Sequence, residues 1–288
     1  MFGNLPLVSA ADLSTLLPMP AAIAAIEDAL AAGLDPEADP ARSNVPFPAG
    51  QMLLMPSGDE RYAGVKIATV ADHGLPRIRA VYLLLDGQTF APLALFDGTA
   101  LTSLRTPAVS AAALNHIARP DASRLLVFGT GPQAEAHVEA VRAIRDIEHV
   151  AMKGRNDSRT RKEIQDADII CCCTTAETPL FPGAWVSAGT AVVAIGSHEP
   201  GKREVDTDLV AASQVFVESR RAALTEAGDV IQPIGSGVPV DLVTLADLHG
   251  TKPDPARPRL FKSVGMGWQD LVVAAAAYEA LPGTEKYK

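Results

Sequence analysis

Apolar positions in this chain are spaced in two regimes. In the first, four short apolar runs follow one another with no helical spacing between them: QMLLM, YAGVKIATV, RIRAVYLLLD and APLALFD. Turn residues such as Ser57-Gly58 and Asp86-Gly87 separate them, so the runs predict consecutive strands in a largely antiparallel or mixed sheet. Two helix-spaced segments precede them. Ser9 is placed to cap the first, and Pro20 suits the first turn of the second, AAIAAIEDALAAG, which Gly33 stops. The stretch DPEADPARSNVPFPAG reads as a proline-rich connection.

From Leu101 the spacing changes. TSLRTPAVSAAALNHIA is alanine-rich and helical in period, which puts Arg105 and Thr106 near a helix start. Beyond it, RLLVFG, AEAHVEAVRAI, HVAMK, ADIICCC, GTAVVAIG, a short helical DTDLVAA and QVFVES alternate strand and helix character, the signature of parallel βαβ units. VGMGWQDLVVAAAAYEAL closes the pattern as one more amphipathic helix. The fold class expected is α/β, with a Rossmann-type parallel sheet beside a second domain built on the first four strands.

Composition narrows the partners. The chain has 288 residues, 48% hydrophobic and 20% charged, enough for two domains. A net charge of −9 argues against a general grip on nucleic acid or on an anionic membrane. No apolar run approaches the ~18 residues of a membrane span. The opening MFGNLPLVSAADLSTLL lacks a basic leader and carries Asp12 where a signal would be apolar. Cys171, Cys172 and Cys173 are consecutive, unlike zinc-site spacing, and read as small hydrophobes on a buried strand. No metal is expected, and the cytoplasm is the expected location.

The segment LLVFGTGPQAEAHV carries the clearest chemistry. An apolar strand, the turn Gly129-Thr130-Gly131 and a helix from Pro132 give the pattern G-x-G-x-x-A in its required setting. Gly129 permits the tight turn, Gly131 lets the backbone approach a pyrophosphate, and Ala134 lets helix and strand pack. The helix N-terminus adds N–H groups and partial positive charge. The next strand, HVAMK, ends in Gly154-Arg155-Asn156 rather than in an acidic residue. An Arg there suits a 2′-phosphate, which favours NADP(H), with NAD(H) the other possibility.

Five segments in order, GVKIATV, FDGTALTSLRTPAVSA, VFGTGPQAEAHVEA, GSHEPGKREVD and FKSVGMGWQD, resemble the ornithine cyclodeaminase/mu-crystallin family over almost the whole chain. The resemblance implies a split substrate-binding and dimerisation domain, 1–115 plus 264–288, around a Rossmann domain at 116–263. It implies a homodimer and a small amino or imino acid substrate. Arg42, Lys66 and Arg105 match positions that hold the substrate carboxylate or serve the chemistry, with Arg offering a planar fork to a carboxylate. Lys66 lies between apolar neighbours on a strand, where a lysine is costly unless paired or functional. With a lowered pKa it could also donate a proton. Cofactor contacts are implied for Arg105, Thr106, Gly129, Thr130, Gly131, Pro132, Gln133, Arg155, Asn156, Thr174 and Ser263.

Two departures from the family pattern carry meaning. Cyclodeaminating members have an Asp where this chain has His198, which favours a reductase or dehydrogenase of imino or amino acids over a lyase. His198 is then a candidate proton donor. A lyase, and a mu-crystallin-like protein that binds NADPH and a ligand, stand as the alternatives. The second departure is length: between Asn156 and Ala167 the chain is too short for a crossover helix plus strand. Either the adenine side of the Rossmann sheet is trimmed, or a piece is absent from the sequence.

Overall fold

The computed structural model describes residues 5–74 and 78–283. The chain divides into two compact units: Met1–Arg105 with Met266–Lys288, and Thr106–Gly265.

The first unit opens with β1 (Leu7–Val8), α1 (Ala10–Leu16) and α2 (Met19–Ala31). Ser9 and Asp12 close a capping box at α1, each side chain accepting the other's backbone N–H. Pro20 stands in the first turn of α2, and Gly33 follows its end at φ +94°. Five strands come next: β2 (Ser43–Phe47), β3 (Gly50–Gly58), β4 (Tyr62–Ala71), β5 (Ile78–Asp86) and β6 (Pro92–Asp97). They form a sheet of order β1-β6-β5-β4-β3-β2, antiparallel except for β1, which runs parallel to β6. The proline-rich connection thus contains a strand, β2, at the sheet edge, where a proline is tolerated. The run RIRAVYLLLD begins at Arg77, which lies outside the described residues.

Register places Met55, Lys66, Tyr82 and Phe96 in one row across β3 to β6, all buried. The opposite face carries the rows Leu54–Ile67–Val81 and Pro56–Val65–Leu83–Leu95, with Val81 44% exposed. Helix α3 (Gly98–Ile117) leaves β6 directly, because the Asp97 carboxylate accepts the N–H groups of Thr99 and Ala100. Arg105 and Thr106 therefore lie well inside this helix rather than near its start, and Pro107 is accommodated in its interior. The boundary between the units falls between Arg105 and Thr106, earlier than the expected 115/116.

The second unit contains β7 (Arg124–Phe128), α4 (Pro132–Ile144), β8 (His149–Lys153), α5 (Arg161–Gln165), β9 (Ile169–Cys172) and β10 (Ala191–Ala194). It continues with α6 (Thr207–Ala212), β11 (Gln214–Val217), α7 (Arg220–Glu226), α8 (Gly228–Gly235), β12 (Leu242–Thr244) and β13 (Arg259–Lys262). The sheet is wholly parallel, ordered β12-β11-β13-β10-β9-β7-β8. Its central strands are buried on both faces, as their unbroken apolar runs require. Chain direction switches at β7: β8 lies on one side and β9 on the other. Ligands of such sheets bind at the carboxyl ends of the strands at this switch point. In the short segment the five-residue α5 alone carries the chain from the edge strand β8 back to β9.

The last helix, α9 (Gly267–Glu279), belongs to the first unit. It is not a half-solvated amphipathic helix: Trp268, Gln269, Asp270, Leu271, Val273, Ala274, Ala277 and Tyr278 are all buried. Gly267 makes this packing possible, because a Cβ there would lie 2.5 Å from the Pro56 carbonyl oxygen on β3. Asp39 locks the helix start, accepting the Trp268 N–H at 3.2 Å and the Ser57 hydroxyl at 2.6 Å. Among the described residues no single helix is long and apolar enough to cross a membrane.

Candidate functional site

The first unit gathers its predicted basic residues around a carboxylate. Lys66, 2% exposed, points from the inner face of β4 and donates to both oxygens of Asp270, at 2.7 and 3.0 Å. A third contact reaches Thr102 Oγ1 on α3 at 3.3 Å. One turn along α3, Arg105 donates from Nε to Asp270 at 3.3 Å and from Nη1 to Gln269 at 2.7 Å. Asp270 is fully buried, and two cations share it.

Burial lowers the Lys66 pKa to about 8, and the Arg105 guanidinium adds to the effect. Asp270 pulls the other way, while Arg42, just ahead of β2, is near enough to push further down. The three predicted residues Arg42, Lys66 and Arg105 are thus brought together. Cations gathered in a desolvated place suit a carboxylate ligand.

Asp270 and Gln269 were not among the predicted site residues, although GMGWQD was recognised as a motif. The readable signal was an acidic residue in the first turn of a helix followed by LVVAAAAY, apolar on every side. A carboxylate there must be buried, and a buried carboxylate needs a cation.

In the second unit the glycine turn has the predicted shape. Gly129 takes φ +123°, and a Cβ there would sit 2.5 Å from the Cys173 carbonyl oxygen, so both conformation and close approach demand glycine. Ala134, fully buried, packs against the same point. Gly131 differs. Its backbone is extended, and an added Cβ meets nothing within 4 Å. Among the described residues nothing requires glycine at 131, whereas a phosphate lying against the backbone would. Pro132 starts α4, and no side chain caps the helix. Thr130, Gly131 and Pro132 are exposed there and Gln133 half-buried. This is an open cradle of backbone amides at a helix N-terminus, and it fits a dinucleotide pyrophosphate.

The end of β8 adjoins the turn. A Cβ at Gly154 would lie 3.7 Å from the Thr130 methyl group, and Asp157 accepts the Gly154 N–H at 2.7 Å. Arg155 and Asn156 project from this loop and are exposed. Thr106 is buried in α3, its carbonyl oxygen accepting from Ser110. Cys171 and Cys172 are buried on β9, where desolvation pushes the Cys171 thiol up to about 12.

Thr174, Ser263 and His198 lie at or beyond strand ends of the same sheet. The Thr174 hydroxyl and N–H both donate to Glu204. The Ser263 hydroxyl donates to Glu218, which also accepts the N–H groups of Val264 and Gly265. His198 is half-buried in a loop that Ser197 braces by donating to the carbonyls of Glu199 and Lys202. Neither Glu204 nor Glu218 was predicted; both sit in stretches where one sequence shows no partner.

A parallel sheet with a glycine-rich turn at its switch point defines a Rossmann-type dinucleotide-binding protein, here with a second unit that buries a cationic cluster. The chain belongs to the ornithine cyclodeaminase/mu-crystallin family, whose model matches residues 6–165 and 157–285, dividing at the shortened β8–β9 segment. It is 35% identical over 262 residues to a Delta(1)-pyrroline-2-carboxylate reductase of Colwellia psychrerythraea, covering 79% of this chain and 83% of the relative. Identity to the ketimine reductase mu-crystallin of Rattus norvegicus is 32% over 228 residues, 73% of this chain and 72% of the relative. The structure of Thermococcus litoralis Delta(1)-pyrroline-2-carboxylate reductase in complex with NADH and L-proline superposes with a TM-score of 0.87 at 30% identity, covering 96% of this chain and 97% of that one.

Proposed function

We propose that this protein is an NAD(P)H-dependent reductase of small imino acids, of the Delta(1)-pyrroline-2-carboxylate kind, and that it oxidises the matching amino acid in reverse. The observation that carries the reading is the buried cluster in which Lys66 and Arg105 share Asp270. Arg105 keeps N–H groups beyond those given to Asp270 and Gln269, and these can hold a substrate carboxylate beside Lys66. At neutral pH Lys66 is a cation that can part with its proton, the property a donor to a reduced imine nitrogen needs. Bound at the Gly129–Gln133 turn, with Arg155, Asn156, Thr174 and Ser263 as further contacts, the nicotinamide supplies the hydride. His198 has an imidazole and does not offer the negative charge of the Asp that a cyclodeaminase brings to an amine.

The direct test follows the loss of NADPH and NADH absorbance with Delta(1)-pyrroline-2-carboxylate, and separately looks for proline formed from ornithine. Turnover of the imine without ornithine conversion is expected. Proline and ammonia from ornithine with no net change in cofactor would make the protein a lyase, and dinucleotide binding without turnover would make it a binder. Above pH 7.5 the reductive rate should fall as pH rises through about 8, where Lys66 loses its proton. A rate that is flat to pH 9.5 counts against Lys66 as donor and clamp.

Two finer readings belong to the same proposal. Arg155 favours NADPH over NADH, and Arg155→Ala should erase most of that preference, about 1.5–3 kcal/mol for a hydrogen bond to a charged group. Comparing both dissociation constants in the two proteins decides it. The second concerns assembly. The sheet face opposite Lys66 carries Leu54, Ile67, Val81, Val65, Leu83 and Leu95, with Asp97 at the end of one row, and suits a homodimer. Light scattering should give about twice the 30.2 kDa chain mass, and monomer alone at micromolar concentration would refute the dimer.

A further inference from the structure

Three charged side chains of the second unit, Glu204, Asp229 and Lys262, are buried near the carboxyl ends of its strands. Glu204 is fully buried in the segment before α6, although the segments around it are loops. Its Oε1 accepts the Thr174 N–H at 2.8 Å and the Thr174 hydroxyl at 2.7 Å. Its Oε2 accepts the Gly196 N–H at 2.7 Å. Thr174 follows β9 and Gly196 follows β10, so one carboxylate ties the chain leaving two adjacent parallel strands. The tie is close: a Cβ on Gly196 would lie 1.9 Å from the Thr174 carbonyl oxygen and 2.6 Å from Glu204.

Glu204 is itself anchored. Asp229, at the start of α8, accepts the N–H groups of Glu204 and Val205 at 2.6 and 2.9 Å, and its other oxygen lies 2.9 Å from Lys262 Nζ on β13. Gly228 lets α8 approach the loop beyond His198, because a Cβ there would strike the Lys202 carbonyl oxygen at 2.0 Å. The ends of β9, β10 and β13 and the His198 loop are thereby referred to one buried network.

We propose that Glu204 is a positioning residue, whose carboxylate holds the carboxyl ends of β9 and β10 in the arrangement against which the nicotinamide half of the cofactor binds. The proposal rests on the reductase reading only for the chemistry that follows. Two independent features support it. The strand ends it joins lie beside the switch point, on the side of β7 away from β8, where the second half of a dinucleotide must run. The clamp also needs an ionised carboxylate, because a proton on Oε2 would face the Gly196 N–H, donor against donor. Burial pushes Glu204 up to about 7, against the pull of Lys262 and the Thr174 hydroxyl and with the push of Asp229. The other groups felt there are the neutral thiols of Cys171, Cys172 and Cys173.

Glu204→Gln is the test, since it keeps shape and turns an N–H towards Gly196. Amide exchange is read at Thr174 and Gly196 with and without NADH, alongside kcat, KM and cofactor Kd. In the wild-type protein NADH should slow exchange at both amides. In the variant their exchange should rise at least tenfold while the β9 and β10 interiors stay protected. The kcat should fall tenfold or more with KM and Kd within threefold, and any loss of wild-type rate below pH 7 should vanish. Glu204→Ala should share the exchange result. Unchanged exchange at Thr174 and Gly196, a kcat within threefold of wild type, or global unfolding of Glu204→Gln would each overturn the proposal. Should the wild-type protein reduce no imine, the reductase reading falls, and the exchange comparison still decides the clamp.

Discussion

Lys66→Met should lower imino-acid reduction on the order of 10³-fold, the range attributed to a positioned acid, and should also weaken the fold. The structure makes the second effect unavoidable. Lys66 provides the two shortest bonds to Asp270, which is fully buried and would keep only the 3.3 Å contact from Arg105. Removing one partner from a buried ion pair costs about 3–5 kcal/mol, because the remaining charge is stranded without solvent. The double variant Lys66→Met with Asp270→Asn should recover most of that stability, since the side-chain amide oxygen introduced there still accepts from Arg105, yet recover no activity. Urea unfolding and steady-state rates on the two proteins separate the effects. A stable, active Lys66→Met protein would remove Lys66 from the site, and cofactor affinity should be unaltered in both variants.

Gly131→Val should abolish dinucleotide binding, raising Kd by on the order of 100-fold, about 2.7 kcal/mol, without changing the melting temperature. The protein's own atoms leave that position open, so a valine fits in the unliganded protein and fills the space a pyrophosphate would take. Gly129→Ala should do the reverse. It forces a non-glycine residue to φ +123° and sets a methyl group 2.5 Å from the Cys173 carbonyl. Such a backbone conformation costs about 1–3 kcal/mol before the collision is counted. Calorimetric titration with NADPH and thermal melts distinguish the two glycines. Unaltered affinity in Gly131→Val would show that the turn holds no phosphate.

What could be read without coordinates was whatever depends on local spacing. The strands β3 to β6, the capping box at Ser9, the alternating elements of the parallel sheet and the glycine turn each obey rules that act over a few residues. Even the shortness of the segment after Asn156 was visible, because its ten or so residues cannot span a crossover and a strand. Lys66 was legible for a related reason: a lone cation in an apolar strand needs a partner.

Only the tertiary structure could name that partner. Asp270 lies 204 residues from Lys66, and no local rule links a strand lysine to the first turn of the last helix. Pro46 obscured the edge strand β2, since a proline argues against a strand until the edge position is known. The helical run read from Thr102 put Arg105 and Thr106 near the start of a helix that begins at Gly98, because the Asp97 cap was invisible without the backbone it caps. Glu204 and Glu218 read as ordinary acidic residues between short elements. They became anchors only once folding buried them beside the amides at the strand ends. Sequence alone determined most of the elements and the shape of the glycine turn. Which charges lose water together, and so which need one another, was decided by packing between residues distant in the chain.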